Sequence, residues 1–359
     1  MNLTEIRHAI DQVDHQMLAL LRQRMEYVLQ AEKHKGDVQD VAREQSILAK
    51  VAAHPSPLLD QAFRRRLYEL ILAESKELQR KHLKLVGFGG EHGAWAEIAV
   101  QKFWSGMASI ACEDFRDVFS CVENGELEFG LVPIENSIEG SVGEVNDLLV
   151  ATSLKIVAEA VLPIHQSLLA LPGVSLQEIR SVYSHEQALG QCRAFLTRHK
   201  IEGHRHASTA GAARWLAHEQ QRSTGVIASE SAAELYGLEV IQENIEDNPQ
   251  NATRFVLLSK EPTTGPADKC TIAFATQHRV GALSDVVRIF ADNKINLTRI
   301  ESRPIRVNPG AFAFLLDFQG KPDDPAVLRA LDETRKVTVS LKNLGFYSEA
   351  DAPAGGPAA

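Results

Sequence analysis

A hydroxyl and a guanidinium stand side by side ahead of a short apolar run. The segment is Asn251-Ala252-Thr253-Arg254-Phe255-Val256-Leu257-Leu258. A threonine hydroxyl can donate a hydrogen bond, and a guanidinium can bind a carboxylate through two parallel hydrogen bonds. The pattern predicts a buried strand whose polar entrance lies at a ligand site.

Other polar groups follow apolar runs of the same region. Pro133-Ile134-Glu135-Asn136-Ser137 follows one predicted strand, and Tyr183-Ser184-His185-Glu186-Gln187 follows another, with Gln191 one helical turn later. Ser208-Thr209 precedes a helix. Taken singly, such groups are more often turns or helix caps than catalytic residues.

A glycine-rich turn, residues 87–93, lies between a predicted strand and a helix. Its spacing, Gly-x-Gly-x-x-x-Gly, misses the dinucleotide fingerprint by one residue. A tight turn over a different small anion is therefore at least as good an interpretation. We expect no cofactor.

Charged and polar side chains continue the apolar stripes of three predicted helices near the N-terminus. The first stripe has spacings of three and four: Leu3, Ile6, Ile10, Val13, Met17 and Leu20. Polar residues on or beside the stripes are Arg24, Lys35, Asp40, Arg43, Glu44, Ser75 and Gln79. A single charged residue at such a position usually forms a structural ion pair, or packs its aliphatic part on the apolar surface and extends its charged end into solvent. Several buried cations are costly unless an anion neutralises them, so their convergence indicates a dianion site.

Metal chemistry is not expected. His204 and His206 lack a third ligand at a recognisable spacing, and a surface strand is the better interpretation. Cys112, Cys121, Cys192 and Cys270 form no Cys-x-x-Cys pair, which argues against a zinc site or a disulfide framework.

The elements that position these residues fall into zones of different hydrophobic period. Residues 1–80 are helical, with a break at Pro55-Ser56-Pro57, and residues 83–261 alternate strands and helices as in an α/β domain. Residues 268–347, after a Pro- and Gly-containing linker, follow the order strand, helix, strand, strand, helix, strand. Residues 348–359 have the composition of a disordered tail.

Composition limits the class of protein. The chain has 359 residues, long enough for two or three domains, and 44% hydrophobic residues without a run that could span a membrane. The N-terminal residues lack the pattern of a secretory signal, so we expect a cytoplasmic protein. A net charge of −9 makes nucleic acid or an anionic membrane an unfavourable partner, so an anionic substrate would need a locally cationic pocket.

The helical zone resembles the all-helical class of chorismate mutases. The pattern of that family is matched by Arg7, Arg24, Lys35, Asp40, Arg43, Glu44, Ser75 and Gln79. The resemblance implies a three-helix domain that forms a helix-swapped dimer, in which Arg7 reaches the partner's site. It also implies that the arginines bind the two carboxylates of chorismate, that Lys35 and Gln79 bond its ether oxygen, and that Glu44 holds its hydroxyl.

The α/β zone resembles prephenate dehydratase, whose signature is the Thr-Arg-Phe triplet Thr253-Arg254-Phe255. The resemblance implies a two-lobed, periplasmic-binding-protein-like domain in which Thr253 assists the departing hydroxyl while Arg254 anchors a carboxylate or positions Thr253. Glu135, His185 or a water would share the proton transfer. The further site residues implied are Asn136, Ser137, Ser184, Gln191 and Ser208. Trp95-Ala96 stands where the family usually has an aromatic residue followed by serine.

The last zone resembles the ferredoxin-like ACT regulatory domain of the same enzymes. Its two phenylalanine-binding segments are matched by Gly281-Ala282-Leu283-Ser284 and by Asn296-Leu297 with Glu301-Ser302-Arg303-Pro304. The resemblance implies feedback inhibition by L-phenylalanine and a homodimer or homotetramer. The helix start at Gly281 suits a carboxylate, and Glu301 suits an ammonium group.

Three alternatives remain open from the sequence. A dinucleotide-dependent prephenate dehydrogenase is disfavoured by the broken glycine fingerprint. A protein that binds prephenate and senses phenylalanine without turnover would share the fold. A third possibility is that only the mutase is active, because Ala96 replaces a serine.

Overall fold

The computed structural model describes residues 3–33, 40–304 and 312–350. The chain divides into two compact units, Met1–Leu85 and Val86–Ala359. Among the described residues, no helix combines the length and the apolar composition needed to cross a bilayer.

The first unit consists of helices, as its sequence period predicts: α1 (Leu3–Glu32), α2 (Val41–Ala53) and α3 (Gln61–Arg80). The last two begin at aspartates whose side chains accept hydrogen bonds from the first helical turn. Asp40 accepts from the Arg43 amide at 2.9 Å, and Asp60 accepts from the Phe63 amide at 2.7 Å. These caps satisfy N–H groups that a helix start leaves unpaired.

The apolar stripe of α1 is largely open to solvent in the single chain. The exposed fractions of Leu3, Ile6, Ile10, Val13, Met17 and Leu20 lie between 44% and 66%. In contrast, Leu29, near the end of the helix, is only 4% exposed. The sequence pattern predicts a buried face, and within one chain that face is covered only toward the C-terminal end of α1.

The second unit begins with a lobe built on a six-stranded sheet. Its elements are β1 (Leu85–Gly89), α4 (Trp95–Phe103), β2 (Ala108–Cys112), α5 (Phe115–Asn124), β3 (Phe129–Asn136), β4 (Gly140–Ser141), α6 (Gly143–Ala151), β5 (Lys155–Pro163) and β11 (Ala252–Ser259). The strand order is β2-β1-β3-β11-β5, with β4 paired to β3. The late strand β11 thus returns to the middle of the first sheet.

The second lobe is formed by the residues between β5 and β11. Its elements are β6 (Ser167–Ala170), a 3-10 turn (Leu176–Glu178), β7 (Ser181–Ser184), α7 (Glu186–Gln191), α8 (Arg193–His199), β8 (Glu202–Arg205), α9 (Thr209–Glu219), β9 (Thr224–Ala228), α10 (Glu230–Tyr236) and β10 (Glu239–Gln242). The sheet order is β10-β6-β9-β7-β8. Each lobe has its own apolar core. The chain passes between the lobes twice, so a cleft lies between them.

The pairing of β11 with β3 is antiparallel and sets the position of the Thr-Arg pair. Thr253 lies opposite Asn136, and Arg254 lies opposite Glu135. The register shifts between Arg254 and Phe255, which marks a β-bulge. Bulges bend a strand and are common beside active sites.

The C-terminal domain has the predicted order of elements: β12 (Lys269–Ala275), α11 (Ala282–Asp292), β13 (Leu297–Pro304), β14 (Phe312–Gln319), α12 (Pro325–Val337) and β15 (Ser340–Tyr347). The strand order is β13-β14-β12-β15. Helices α11 and α12 contact each other. Apolar side chains such as Val286, Phe290 and Val327 are buried in the core between these helices and the sheet.

The C-terminal domain packs against β5 of the first lobe. The Glu159 amide donates to the Ser348 carbonyl at 3.1 Å, and the Ala350 amide donates to the Glu159 carbonyl at 2.7 Å. Residues 348–350, predicted to begin a disordered tail, are therefore held by backbone hydrogen bonds, whereas residues 351–359 lie outside the described residues. Gly345 has a φ of +141° and lies against β5, where an added Cβ would stand 2.2 Å from the Ile156 carbonyl oxygen.

We predict that Gly345→Ala destabilises the second unit by at least about 2 kcal/mol, because both the backbone conformation and the space exclude a side chain. Urea unfolding monitored by tryptophan fluorescence is the measurement, since Trp95, Trp104 and Trp215 all lie in this unit. The control is Gly106→Ala, where an added Cβ has no neighbour within 4 Å. Equal unfolding midpoints for the two variants would contradict the packing described.

Candidate functional site

A cavity of about 470 Å³ lies in the cleft between the two lobes. Strands β3 and β11 form one wall, and the starts of α7 and α9 contribute to the other. The polar residues predicted from sequence that line it are Thr253, Asn136, His185, Gln191 and Ser208. Phe255, the last residue of the signature triplet, also lines it. Residues spread over more than a hundred positions of sequence thus meet in one cavity.

Thr253 and Asn136 are joined by a side-chain hydrogen bond. The Asn136 amide nitrogen donates to Thr253 Oγ1 at 3.0 Å. The amide oxygen of Asn136 accepts from the backbone amides of Ile138 at 2.9 Å and Glu139 at 3.0 Å. Because the oxygen of Asn136 is held by two N–H donors, its nitrogen must face Thr253. The threonine oxygen therefore acts as an acceptor here, and its own proton remains available to a ligand.

A chain of amide side chains extends this contact across the cleft. Asn136 donates to Asn251 at 2.8 Å, and Asn251 donates to Gln191 at 3.0 Å. Gln191 also accepts from Gln166 at 3.2 Å. Gln166 is 3% exposed, and it was missed by the sequence analysis. The available signal was the polar pair His165-Gln166 between two strongly apolar strands.

The groups at this cavity that suit an anion are helix starts rather than cationic side chains. Among its described lining residues there is neither lysine nor arginine, so the predicted cationic pocket is not formed by side chains. Ala94 and Val142, at the starts of α4 and α6, line the cavity and make no side-chain cap hydrogen bond. Uncapped helix N-termini present backbone N–H groups and partial positive charge to an anion.

Two other lining residues cap helices themselves. Ser208 Oγ accepts from the Gly211 amide at 3.0 Å at the start of α9. His185 accepts from the Gln187 amide at 3.3 Å at the start of α7. Burial lowers the pKa of His185 below its ordinary value of 6.5, while Glu139 acts in the opposite direction. Burial therefore favours the neutral form of His185.

Several predicted site residues do not line this cavity. Ser184 is fully buried and donates to the Ile227 carbonyl at 2.6 Å. Ser137 Oγ accepts from the Ala252 amide at 2.9 Å, which ties β3 to β11. Glu135 and Arg254 turn away from the cleft, because neighbouring residues of a strand point to opposite faces. The structure thus does not bring Glu135 near the hydroxyl of Thr253.

Arg254 contacts carboxylates of the protein itself. Its Nη2 pairs with Asp317, its Nη1 lies 3.4 Å from Glu159 and its Nε lies 3.0 Å from Glu135. The Nε–H does not point at Glu135, so that contact is an ion pair without a hydrogen bond. Burial acts to lower the pKa of Arg254, but the carboxylates outweigh it and raise the pKa above the ordinary value. Of the two predicted roles for Arg254, this geometry favours positioning Thr253 over binding a substrate carboxylate.

In the first unit, residues of α1 and α3 converge as predicted. Arg24 Nη1 donates to Ser75 Oγ at 2.6 Å, and Gln79 Nε2 donates to the Val28 carbonyl at 2.8 Å. Burial lowers the pKa of Arg24. Both Ser75 and Gln79 are 5% exposed.

The other predicted residues of this unit that the structure describes do not join this contact. Glu44 forms an ion pair with Lys76 at 3.0 Å, which joins α2 to α3. Asp40 caps α2, and Arg43 and Arg7 are exposed. Lys35 lies outside the described residues.

Of the predicted residues of the C-terminal domain, Gly281 and Arg303 lie near one end of its sheet, whereas Leu297, paired with Phe318, lies near the other end. Ala275, the last residue of β12, and Arg303 of β13 are both paired with Ala313. Gly281 precedes α11 with a φ of +83° and makes no side-chain cap. Arg303 donates to Asp147 of α6 at 2.6 Å and lies 3.7 Å from Glu301. Asn296 bonds to Gln319 at 3.0 Å.

Two of the cysteines approach each other. Ligand atoms of Cys112, Asp117 and Cys121 lie within 4.8 Å of one another. Burial, with help from nearby carboxylates, raises the pKa of Cys112 and raises that of Cys121 to about 12. Because metals bind thiolates, this shift opposes metal binding.

Comparison with known proteins defines the class first. The chain matches chorismate mutase type II over residues 6–80, prephenate dehydratase over residues 86–263 and the ACT domain over residues 272–335. It is thus a helical mutase domain followed by a dehydratase domain and a regulatory domain.

Similar proteins cover between about three quarters and nearly all of the chain. The bifunctional chorismate mutase/prephenate dehydratase of Escherichia coli is 33% identical over 372 residues, 96% of each chain. The structure of prephenate dehydratase from Arthrobacter aurescens in complex with L-Phe is 32% identical, with a TM-score of 0.69 over 76% of this chain and 93% of that one. The quorum-quenching acylase GqqA has the same identity and TM-score over 74% of this chain and 97% of that one.

The chain belongs to the family of bifunctional chorismate mutase/prephenate dehydratases, which confirms the resemblance inferred from the sequence. It is an enzyme with an isomerase activity, chorismate to prephenate, and a lyase activity, prephenate to phenylpyruvate.

We predict that the second unit of the wild-type protein loses stability as pH falls below 6.5, whereas His185→Asn loses less. The pKa of His185 is lower in the folded state, so the unfolded state binds more protons between that pKa and 6.5. Asparagine keeps a side-chain acceptor at the start of α7. The measurement is the urea midpoint, by tryptophan fluorescence, at pH 7.5 and 5.5. His218→Asn, at an exposed position, is the control, and identical pH dependence of wild type and His185→Asn would contradict the prediction.

Proposed function

We propose that Thr253 is the hydrogen-bond or proton donor to the ring hydroxyl that leaves prephenate. The supporting observation is the Asn136–Thr253 hydrogen bond, in which the threonine oxygen accepts. That bond directs the threonine proton away from Asn136 and toward the cavity. Aromatisation drives loss of CO2 and water, so the site has to orient the substrate and assist the leaving group.

The same proposal assigns the carboxylates of prephenate to the starts of α4 and α6. Their backbone N–H groups supply donors where the cavity has no described lysine or arginine. Ala96 belongs to the first turn of α4 and retains its backbone amide. The proposed contact therefore does not depend on a serine side chain at that position. His185, Gln191 and Ser208 complete the polar wall, and Phe255 packs beside the ring.

Arg254 and Glu135 are assigned positioning roles, and Ser184 and Ser137 hold the strands that carry the site. The two sheets and the double passage of the chain support a periplasmic-binding-protein-like arrangement of the lobes. Closure of such lobes would exclude water from the reacting ring.

For the first unit we propose a helix-swapped dimer with mutase sites shared between chains. Arg7 and Arg24 are separated along α1 by about 25 Å, so one chain cannot bring both to one small substrate. The exposed apolar stripe of α1 supports a second chain packed along it. In this arrangement Arg24, Lys35 and Arg43, with Arg7 of the other chain, bind the carboxylates and ether oxygen. Gln79 adds a hydrogen bond to the ether oxygen, Glu44 holds the hydroxyl, and Asp40 and Ser75 support these groups.

For the ACT domain we propose binding of L-phenylalanine and inhibition of the dehydratase. The order and pairing of its strands support a ferredoxin-like fold. Strand β13 is an edge strand with Ile300 46% exposed, which supports pairing of two such domains. The residues assigned to the ligand are Gly281, Ala282, Leu283 and Ser284 with Asn296, Leu297, Glu301, Ser302, Arg303 and Pro304.

We predict that Thr253→Ala lowers the kcat for phenylpyruvate formation about 10²- to 10⁴-fold, the usual contribution of a positioned acid. The KM for prephenate should change little. Thr253→Ser keeps the hydroxyl and should retain most of the rate. The assay is a time course from chorismate that resolves prephenate and phenylpyruvate at neutral pH, with an enzyme-free blank. Prephenate production is the internal control, because the mutase lies in the other unit. Full phenylpyruvate formation by Thr253→Ala would refute the assignment.

We predict that a heterodimer of Arg7→Ala and Arg43→Ala chains has about half the mutase activity of wild type. Each homodimer lacks an arginine in both sites and should be nearly inactive. In the heterodimer both lesions fall in one site, which leaves the other intact. Co-expression with two different affinity tags gives the mixed species. A heterodimer as inactive as the two parents would exclude shared sites.

A further inference from the structure

A buried network of charges joins the ACT domain to the two strands of the dehydratase site. Asp317 of β14 is fully buried and pairs with Arg254 of β11. Asp317 Oδ1 also accepts from Thr271 Oγ1 of β12 at 2.8 Å. Thr271 in turn lies 2.6 Å from the hydroxyl of Tyr347 on β15. Three strands of the ACT sheet thus hold one carboxylate against one arginine of β11.

A second cation of the ACT domain reaches the other strand of the site. Arg299 of β13 lies 3.3 Å from Glu135 of β3, and its Nη2 donates to Asn146 of α6 at 2.6 Å. Its Nη1 lies 3.9 Å from Asp317. Lys269 of β12 binds Glu159 at 2.7 Å, and Glu159 also faces Arg254. The contacts form one network rather than separate surface pairs.

The network holds the immediate neighbours of the cavity residues. Glu135 directly precedes Asn136, and Arg254 directly follows Thr253. The register pairs Arg254 with Glu135 and Thr253 with Asn136, so the two pairs occupy adjacent rows of the sheet. One row points toward the ACT domain and the other into the cleft. A shift of the first row must shift the second, because one residue of backbone separates them.

Burial makes this connection stiff. Separating Asp317 from Arg254 would remove the nearest cation from a fully buried carboxylate, and breaking a buried ion pair in this way is strongly unfavourable. Movement of the ACT sheet therefore displaces β3 and β11 instead of breaking the contact. Catalysis is sensitive to displacements of this kind, since an error of about 1 Å can cost about 10²-fold in rate.

We propose that the Arg254–Asp317 pair, with Glu135 and Arg299, couples the ACT domain to the dehydratase site, so that phenylalanine bound to the ACT domain acts on Thr253 and Asn136 through it. This inference rests on the proposed inhibition by phenylalanine. It adds the contacts through which binding at the ACT domain would affect the dehydratase site. It assigns a coupling role to Asp317, which does not touch the substrate.

The test uses the full-length Asp317→Asn variant, which keeps the shape of the side chain and removes its charge. Phenylalanine binding is measured by calorimetry, and prephenate turnover is measured with and without saturating phenylalanine. The variant should bind phenylalanine with a Kd within about threefold of wild type. Its inhibition should fall to less than about twofold, from a wild-type value expected within the usual allosteric range of about 5- to 150-fold.

Lys342→Gln is the matched control. Lys342 is another cation of the ACT interface, and its Nζ contacts the Val150 carbonyl at 3.0 Å near the end of α6. It has no described contact with Arg254 or Glu135. This variant should be inhibited as strongly as wild type, which separates the network from a general weakening of the interface.

The outcomes distinguish the inference from the proposed function. Wild type that is insensitive to phenylalanine would refute the proposed regulation. A wild type that is inhibited, together with an Asp317→Asn variant that binds phenylalanine and is inhibited equally, would overturn the coupling role. If Asp317→Asn does not fold by tryptophan fluorescence, Glu135→Gln decides the question in the same assay. Glu135 has a 37% exposed side chain and contacts both arginines, and full inhibition in that variant would again overturn the inference.

Discussion

The antiparallel pairing of β3 with β11 is the interaction on which both faces of the dehydratase site depend. It brings Asn136 opposite Thr253, although the two residues are 117 positions apart in the sequence. Because side chains alternate along a strand, the same pairing sets Glu135 opposite Arg254 on the other face. The Asn136–Thr253 contact in the cleft and the contact with the ACT domain therefore share a backbone. Neither can move without the other.

This alternation explains which assignments the sequence supported and which it did not. The period of the apolar residues predicted three helices, an α/β region and the βαββαβ order of the C-terminal domain. The motifs indicated Thr253, Asn136, His185, Gln191 and Ser208, and all five line the cavity. The sequence also grouped Arg254 and Glu135 with them, because adjacency in a motif carries no information about the face of a strand. Only the register and the neighbouring domain reveal that they point away from the cleft.

Gln166 was missed for a related reason. A glutamine between two apolar strands has no motif, and its role follows from a hydrogen bond to Gln191, which is 25 residues away. In the first unit the apolar stripe of α1 was recognised, but a period cannot tell whether the covering surface belongs to the same chain. The exposed stripe and the separation of Arg7 from Arg24 both follow from helix geometry. Together these two features favour a second chain, because one chain neither covers the stripe nor brings Arg7 and Arg24 to one substrate.

The electrostatics of the cleft follow from the free-energy cost of burying an unpaired charge. A lysine or arginine in the cavity would carry an unneutralised charge whenever the site is empty, and a buried cation of this kind is costly. Helix N-termini avoid that cost, because their partial charge belongs to the backbone and needs no counterion. The protein instead keeps Arg254 and Arg299 on the opposite face, where Asp317, Glu135 and Glu159 neutralise them at all times. An overall charge of −9 is thus compatible with an anionic substrate, because the anion-binding groups that we propose are backbone amides, and Arg254 and Arg299 are paired with carboxylates of the protein itself.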